Sequence, residues 1–323
     1  MTVYFQHWTG DLRWMYLSPE GKWVGGTKSE TIAGNAKNST PISAVAYMVN
    51  ATAVWHIFYI SKDGYVKERM YSNTTSIWQD GPLSDLNLKT YNKPNVGLQA
   101  CWYGNYYGDN EISKTGTVPY NTPGMHLWYP TDDSTFEQYG WYLGKDQWQE
   151  QKKWTGMNAH AGVGCYSWGP TNTTYAMMVN KHNTVEVWWK DTDKNAKITD
   201  EHPVNSWANA SRAGIPNVYP STSLGYTSYF YTQMQDGSVM GRNMTWAAEN
   251  TTVDARQTFT VGDAKGTVLG LKGTHLSVTS VENKSGGTNL YVFYQTKGDD
   301  LTVFTRDITG GQWTSSELLI PSS

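Results

Sequence analysis

Short aromatic and branched runs recur along the chain, each framed by polar turn residues. They are Thr2–Gln6, His56–Ile60, His126–Pro130, Ala176–Asn180, Tyr229–Gln233 and Tyr291–Gln295. Runs of this composition suit a pleated, half-buried strand. Turn residues such as Thr9-Gly10, Asp63-Gly64, Asp236-Gly237 and Gly298-Asp299 follow, and then a second strand. The return comes roughly every fifty to seventy residues, as in a radial repeat whose units cannot bury their faces alone. Apolar residues are nowhere sustained at three- and four-residue spacing, so no long amphipathic helix is predicted.

A typical repeat reads as four strands. A small-residue inner strand such as Ile42–Tyr47 precedes the aromatic strand, and a third strand such as Tyr65–Tyr71 follows it. A tryptophan then marks the outer strand: Trp23, Trp78, Trp148, Trp207 and Trp313, with Trp246 a looser fit. Small residues inside and bulky ones outside match a blade that narrows toward a central axis. The prediction is an all-β, six-bladed propeller of four-stranded antiparallel blades, one domain spanning 1–323. Tyr4, Phe58, Trp128, Met178, Tyr231 and Phe293 are expected at equivalent positions. The first repeat opens on its second strand. The longest insertion lies between Tyr103 and Pro123 and reads as a loop suited to cover a pocket.

Composition narrows the function. Hydrophobic residues make up 38% of the 323, yet 14% are aromatic, and the net charge of −3 offers no basic patch for nucleic acid. No apolar stretch is long enough to span a membrane. The start, Met1–Gln6, reads as a strand and not as a leader. Eight Asn-x-Ser/Thr sequons stand at Asn38, Asn50, Asn73, Asn172, Asn209, Asn243, Asn250 and Asn283. They point to the secretory pathway, with the leader absent from this chain. A cytoplasmic protein with chance sequons is the alternative. Asn73 and Asn283 are expected in the most accessible turns. Cys101 and Cys165 fall in neighbouring inner strands, read as two positions out of register. A disulfide and two buried free thiols both stay open, the offset favouring thiols. No histidine lies at ligand spacing from either cysteine, so no metal or other cofactor is expected. Asp132-Asp133, Asp191-Thr192-Asp193 and Asp299-Asp300 sit where aspartate is ordinary turn chemistry.

Thr2–Gln6 with Leu12-Arg13, Gly21–Gly26, Ala36-Lys37 and Thr40–Val45 resemble the first two blades of the fungal fucose-specific lectins. Later blades keep the same order and spacing. The resemblance implies a six-bladed propeller with sugar pockets between adjacent blades. Each pocket would use an Arg beside the aromatic strand, a Glu on the next strand, and a Trp or Tyr from the neighbouring blade. Arg and Glu fork onto sugar hydroxyls while the ring stacks on the apolar sugar face.

Aligned to these donor, acid and ring positions, the chain holds Thr2, Trp14 and Tyr71 between blades 1 and 2. His56, Glu68 and Gly140 follow, then His126, Glu137 and Lys190. The last three sets are Ala176, Val187 and Met244; Tyr229, Gly241 and Arg306; and Tyr291, Val303 and Leu17. No arginine occupies a donor position. Losing a bidentate arginine costs about 2–4 kcal/mol per site. Trp14, Tyr71, Met177, Met178, Met244, Tyr229 and Tyr291 instead make the pockets more apolar, which suits a greasy small molecule. Simple blade–blade packing is the plainer alternative for each.

The chain also looks like the lectin-fold hetero-Diels–Alderases of fungal tropolone–sesquiterpenoid pathways. That resemblance implies a cofactor-free pericyclase joining a tropolone quinone methide to a humulene-type sesquiterpene. Catalysis would come mainly from orientation. His56 with Glu68, His126 with Glu137, and the hydroxyls of Tyr229 or Tyr291 would polarise the diene carbonyl or assist water loss. Trp14, Tyr71, Met177 and Met244 would line the substrate pocket. The partners expected are hydrophobic small molecules, with a homodimer open. The alternative is a fucose-type lectin with degenerate sites.

Overall fold

The computed structural model describes residues 1–103, 123–145, 147–167, 173–191, 193, 195–204, 206–283 and 285–322. The expected loop between Tyr103 and Pro123 falls at 104–122, outside the described residues, as does the sequon at Asn172.

Six sheets, each built from strands consecutive in sequence, form the blades. Blade 2 is typical: Ser43–Val49, Thr52–Ile60, Val66–Ser72 and Gln79–Asp80 pair antiparallel in that order. Blades 3, 4, 5 and 6 open on Gln99–Trp102, Val163–Ser167, Leu224–Tyr226 and Ser277–Glu282. The helical elements among the described residues are short 3-10 turns such as Pro82–Leu86, and none could cross a membrane. Blade 1 differs. Thr2–Gln6 pairs with Leu12–Leu17, and two short segments, Trp23–Gly25 and Thr31–Ala33, share the outer edge of that strand. Among the described residues no strand pairs with the other edge of Thr2–Gln6.

Strand alternation sends one face of each blade toward the next blade and the other toward the previous one. Phe58, Ile60 and Val66 pack against Leu98, Met125, Leu127 and Tyr129 of blade 3. Trp128 and Phe136, one residue out of phase with those, turn to Met178 and Ala176 of blade 4. Tyr4, Phe58, Trp128, Tyr231 and Phe293 are equivalent, each facing the blade that follows. Met178 is not. The blade 4 hairpin closes between Asn180 and Thr184, which puts Met177, paired with Val187, in the equivalent place. Met177 packs with Leu224 and Phe230 toward blade 5, while Met178 faces back to blade 3.

Cys101 and Cys165 form a disulfide between the inner strands of blades 3 and 4, their Cα atoms 6.3 Å apart. The favoured free thiols are thereby corrected. Cys101 lies opposite His126 and Cys165 opposite Ala176, one position from the equivalent Tyr175, so the inner strands are nearly in step and the Cα atoms come within the span of a bridge. Around the ring, Leu318 packs with Phe293, Met1, Val3 and Trp23, and Pro321 accepts a hydrogen bond at its carbonyl from His7 Nε2 at 3.1 Å. Asn283 also departs from expectation. Its carboxamide oxygen accepts from the backbone N–H groups of Ser285 and Gly287 and holds its own hairpin turn, whereas Asn73 is exposed.

Candidate functional site

The clefts between blades are set by the second and third strands, whose pairing register fixes which side chains meet. His56 and Glu68 lie on adjacent strands, on the face toward blade 3. His56 Nδ1 stands 2.6 Å from Glu68 Oε1, and both side chains are enclosed, at 1% and 0% exposure. Glu68 Oε2 accepts from the Leu83 N–H at 2.9 Å. A side chain at Gly81 would collide with the Glu68 carboxyl group, so the turn comes this close only as glycine. His56 Nε2 meets Tyr47 Oη at 3.1 Å. Burial, reinforced by the nearby Glu68 charge, raises the Tyr47 pKa to about 12, so the hydroxyl keeps its proton. The Tyr47 ring stacks on Trp102 of blade 3 with centroids 4.3 Å apart and planes 7° from parallel. Trp141 closes the cleft, its ring centroid 5.8 Å from that of His56.

The expected pair of His126 with Glu137 does not form. Trp128 pairs with Gln138, just as Phe58 pairs with Glu68, so Gln138 holds the acid position. Gln138 Nε2 lies 3.1 Å from His126 Nδ1, and Gln138 Oε1 accepts from Trp154 Nε1 at 3.0 Å. Glu137 points to the opposite face, accepting from Tyr129 Oη at 2.7 Å and pairing with Lys153 at 3.3 Å. Burial and the Glu137 hydrogen bond push the Tyr129 pKa far up. A one-residue slip in a strand exchanges its faces. The same slip moves the ring position of blade 3 from Gly140 to Trp141. In blade 4 the donor position is Tyr175, not Ala176, and its hydroxyl accepts from the Ala248 N–H at 2.9 Å.

The remaining expected site residues are spread around the ring. Trp14 and Tyr71 flank the blade 1–2 cleft with Trp78, both half-buried, and Tyr71 lies 5.3 Å from Trp78. Met177 and Met244 are core residues of the blade 4–5 contact and present nothing to a ligand. Tyr229 donates to the Ile308 carbonyl at 3.3 Å between blades 5 and 6. Tyr291 packs toward blade 1. Among the described residues no single pocket gathers these groups. Trp102, Tyr47 and Trp141 escaped the sequence reading, although Tyr47 and Trp102 sit on predicted inner strands whose other residues are small.

No protein-family model matches the chain. It aligns at 21% identity with a fucose-specific lectin of Aleuria aurantia over 311 residues, 96% of this chain and 88% of the other. The crystal structure of the Aleuria aurantia lectin superposes with a TM-score of 0.74 at 20% identity, covering 99% of this chain and 92% of that one. The fold is that lectin's six-bladed propeller. The SapL1 lectin, solved with alpha methyl fucoside, gives a TM-score of 0.67 at 17% identity over 100% of this chain and 93% of its own. AofleA from Arthrobotrys oligospora gives 0.65 at 14% identity over 98% and 84%. These likenesses overturn the expected pericyclase: the relative that aligns along the chain is a fucose-specific lectin, and the structure that superposes on it is a fungal lectin. The geometry agrees, because the histidines meant to polarise a substrate are enclosed and engaged by neighbours. The hydrophobic tropolone and terpene partners fall with it.

A separate charged cluster ties blade 4 to blade 5. His202 Nε2 lies 2.8 Å from Asp191, and His202 Nδ1 lies 2.8 Å from Glu249. Desolvation works to lower the His202 pKa, but hydrogen bonds to the two carboxylates outweigh it and raise the value. A raised histidine pKa gives stability that is complete below the unfolded value, near 6.5, and lost as pH rises through the folded value. The thermal midpoint is therefore expected to fall as pH rises above about 6.5, and His202→Gln should flatten that dependence. Identical pH profiles for the two proteins would remove His202 as the cause.

Proposed function

We propose that the protein is a carbohydrate-binding lectin with altered site chemistry, its principal site being the cleft between blades 2 and 3. The observation that carries this reading is the set His56, Glu68 and Trp141 at the donor, acid and ring positions of one cleft. Glu68 orients the enclosed imidazole, and its Nε2 in turn positions Tyr47 Oη. A sugar hydroxyl would be read at Tyr47 Oη and, where the tyrosine yields, at His56 Nε2. Trp102 is half-buried and stacks on Tyr47 by one face; its other face would offer the apolar platform on which a pyranose stacks. Fucosylated glycans are the first candidates, since the similar lectins are fucose-specific. Histidine supplies fewer donors than arginine and no bidentate fork, so affinity should be weak and the sugar preference altered. Passage through an oxidising compartment is supported by the disulfide together with the sequons.

A glycan array followed by calorimetry with methyl α-L-fucoside tests the reading. Retention of fucosylated glycans is expected, with Trp102→Ala weakening binding by about tenfold and Tyr47→Phe changing the sugar preference. An array without a single retained glycan would sink the proposal.

A further inference from the structure

Between blades 5 and 6 the donor–acid–ring pattern is turned around. The acid position is Gly241, and the Phe259 ring lies so close over it that any side chain there would collide. The ring position is Arg306, whose side chain crosses the cleft from blade 6. Its guanidinium carbon stands 3.9 Å from the centroid of Phe259 and 4.8 Å from that of Trp313. Aromatic faces attract the cation and fix its plane, yet they satisfy none of its N–H groups. Among the described residues Arg306 has no ion-pair or hydrogen-bond partner, and its Nε is enclosed without one. The neighbouring carboxylate, Asp307, is turned to the Thr309 N–H and hydroxyl at 2.8 and 2.6 Å. Two further orphan donors surround this cation. Tyr231, at 0% exposure, has an unpartnered hydroxyl, and the indole Nε1–H of Trp313 is unpartnered as well. Tyr231 and Tyr229 both lie within the electrostatic reach of Arg306.

Buried polar groups are ordinarily satisfied, and a half-buried guanidinium whose Nε is enclosed without a partner calls for an acceptor. A neutral sugar supplies only weak acceptors. A carboxylate supplies two parallel oxygens that match the guanidinium fork, with lone pairs left for a phenol. The rings beside it offer stacking surface, Phe259 and Tyr229 being half-exposed. We infer that the blade 5–6 cleft binds a sugar bearing a carboxylate, held by Arg306 with Tyr231 and stacked against Phe259. This inference rests on the sugar-binding reading of the fold but not on the blade 2–3 site.

The probes are methyl β-D-glucuronide, methyl β-D-glucoside, its 6-sulfate and methyl α-L-fucoside, titrated by calorimetry into the full chain. The glucuronide is expected to bind at least tenfold more tightly than the glucoside, in a salt-sensitive manner. Arg306→Gln should weaken glucuronide binding by roughly ten- to a hundredfold, the scale of a hydrogen bond to a charged group, while fucoside binding stays unchanged. Tyr231→Phe, which keeps the ring, should weaken it severalfold. Equal binding of glucoside and glucuronide, or an Arg306→Gln protein that binds as the parent does, overturns the inference. A 6-sulfate as tight as the glucuronide overturns the carboxylate assignment. Should the fucoside fail while the glucuronide binds through Arg306, the blade 2–3 proposal falls and this one stands.

Discussion

Replacing Cys101 and Cys165 together by alanine is expected to lower the stability of the protein by about 2–5 kcal/mol. The bridge closes a loop with a sequence separation of 64 residues. Chain-entropy arithmetic for a loop of that size gives about 4 kcal/mol at room temperature. The bond also joins two inner strands, where neighbouring blades approach most closely and where a shift spreads to both. The urea midpoint of the double variant reads the effect directly, and reduction of the parent protein should reproduce it. A midpoint within experimental error of the parent, under both treatments, would show that the bridge adds nothing to the ring.

The second large effect is expected at His56. Glu68 is enclosed and has two partners, His56 and the Leu83 N–H. His56→Leu leaves the enclosed carboxylate with half its partners, which should cost about 3–5 kcal/mol. Adding Glu68→Leu to that variant removes the stranded charge and should recover part of the loss. A double-mutant cycle isolates the term, with a coupling above about 0.5 kcal/mol expected for groups in direct contact. Additive losses would mean that the two side chains are merely neighbours. The cycle matters for function as well, since a His56 variant that fails to bind sugar is interpretable only once its stability is known.

The fold was legible because strand, turn and outer tryptophan recur together, and each implies the others. Tyr4, Phe58 and Trp128 fell into place because each stands two residues into its run, after Thr2, His56 and His126, and that constant offset fixes its face. The site was less legible wherever both faces of a strand carry the same kind of residue. Met177 and Met178 are adjacent and equally apolar, so pattern alone could not say which looked to blade 5. Glu137 and Gln138 are adjacent and equally polar, and only the hairpin pairing through Thr131 and Thr135 assigns them. One wrong parity concealed Trp141 behind Gly140 and made the blade 2–3 cleft look incomplete. The disulfide was legible as a possibility but not as a fact, because the register of the inner strands is fixed by their pairing in the folded blades. The enzyme reading failed for a different reason. Aromatic and methionine enrichment was taken for a pocket lining, whereas Met177 and Met244 are the packing between blades.

Among the described residues every blade is made from its own stretch of chain, and no sheet contains strands from both the first and the sixth blade. Where blade 6 meets blade 1, the join is the apolar packing of Leu318, Phe293, Met1, Val3 and Trp23 and the bond from His7 to Pro321. A covalent rivet holds the junction of blades 3 and 4, across the ring from that seam. The molecule is thus built like a hinged bracelet. Strain applied anywhere on the circle finds its release at the blade 6–1 clasp, while the riveted side keeps its neighbours in register and gives the parted ring a template on which to close again.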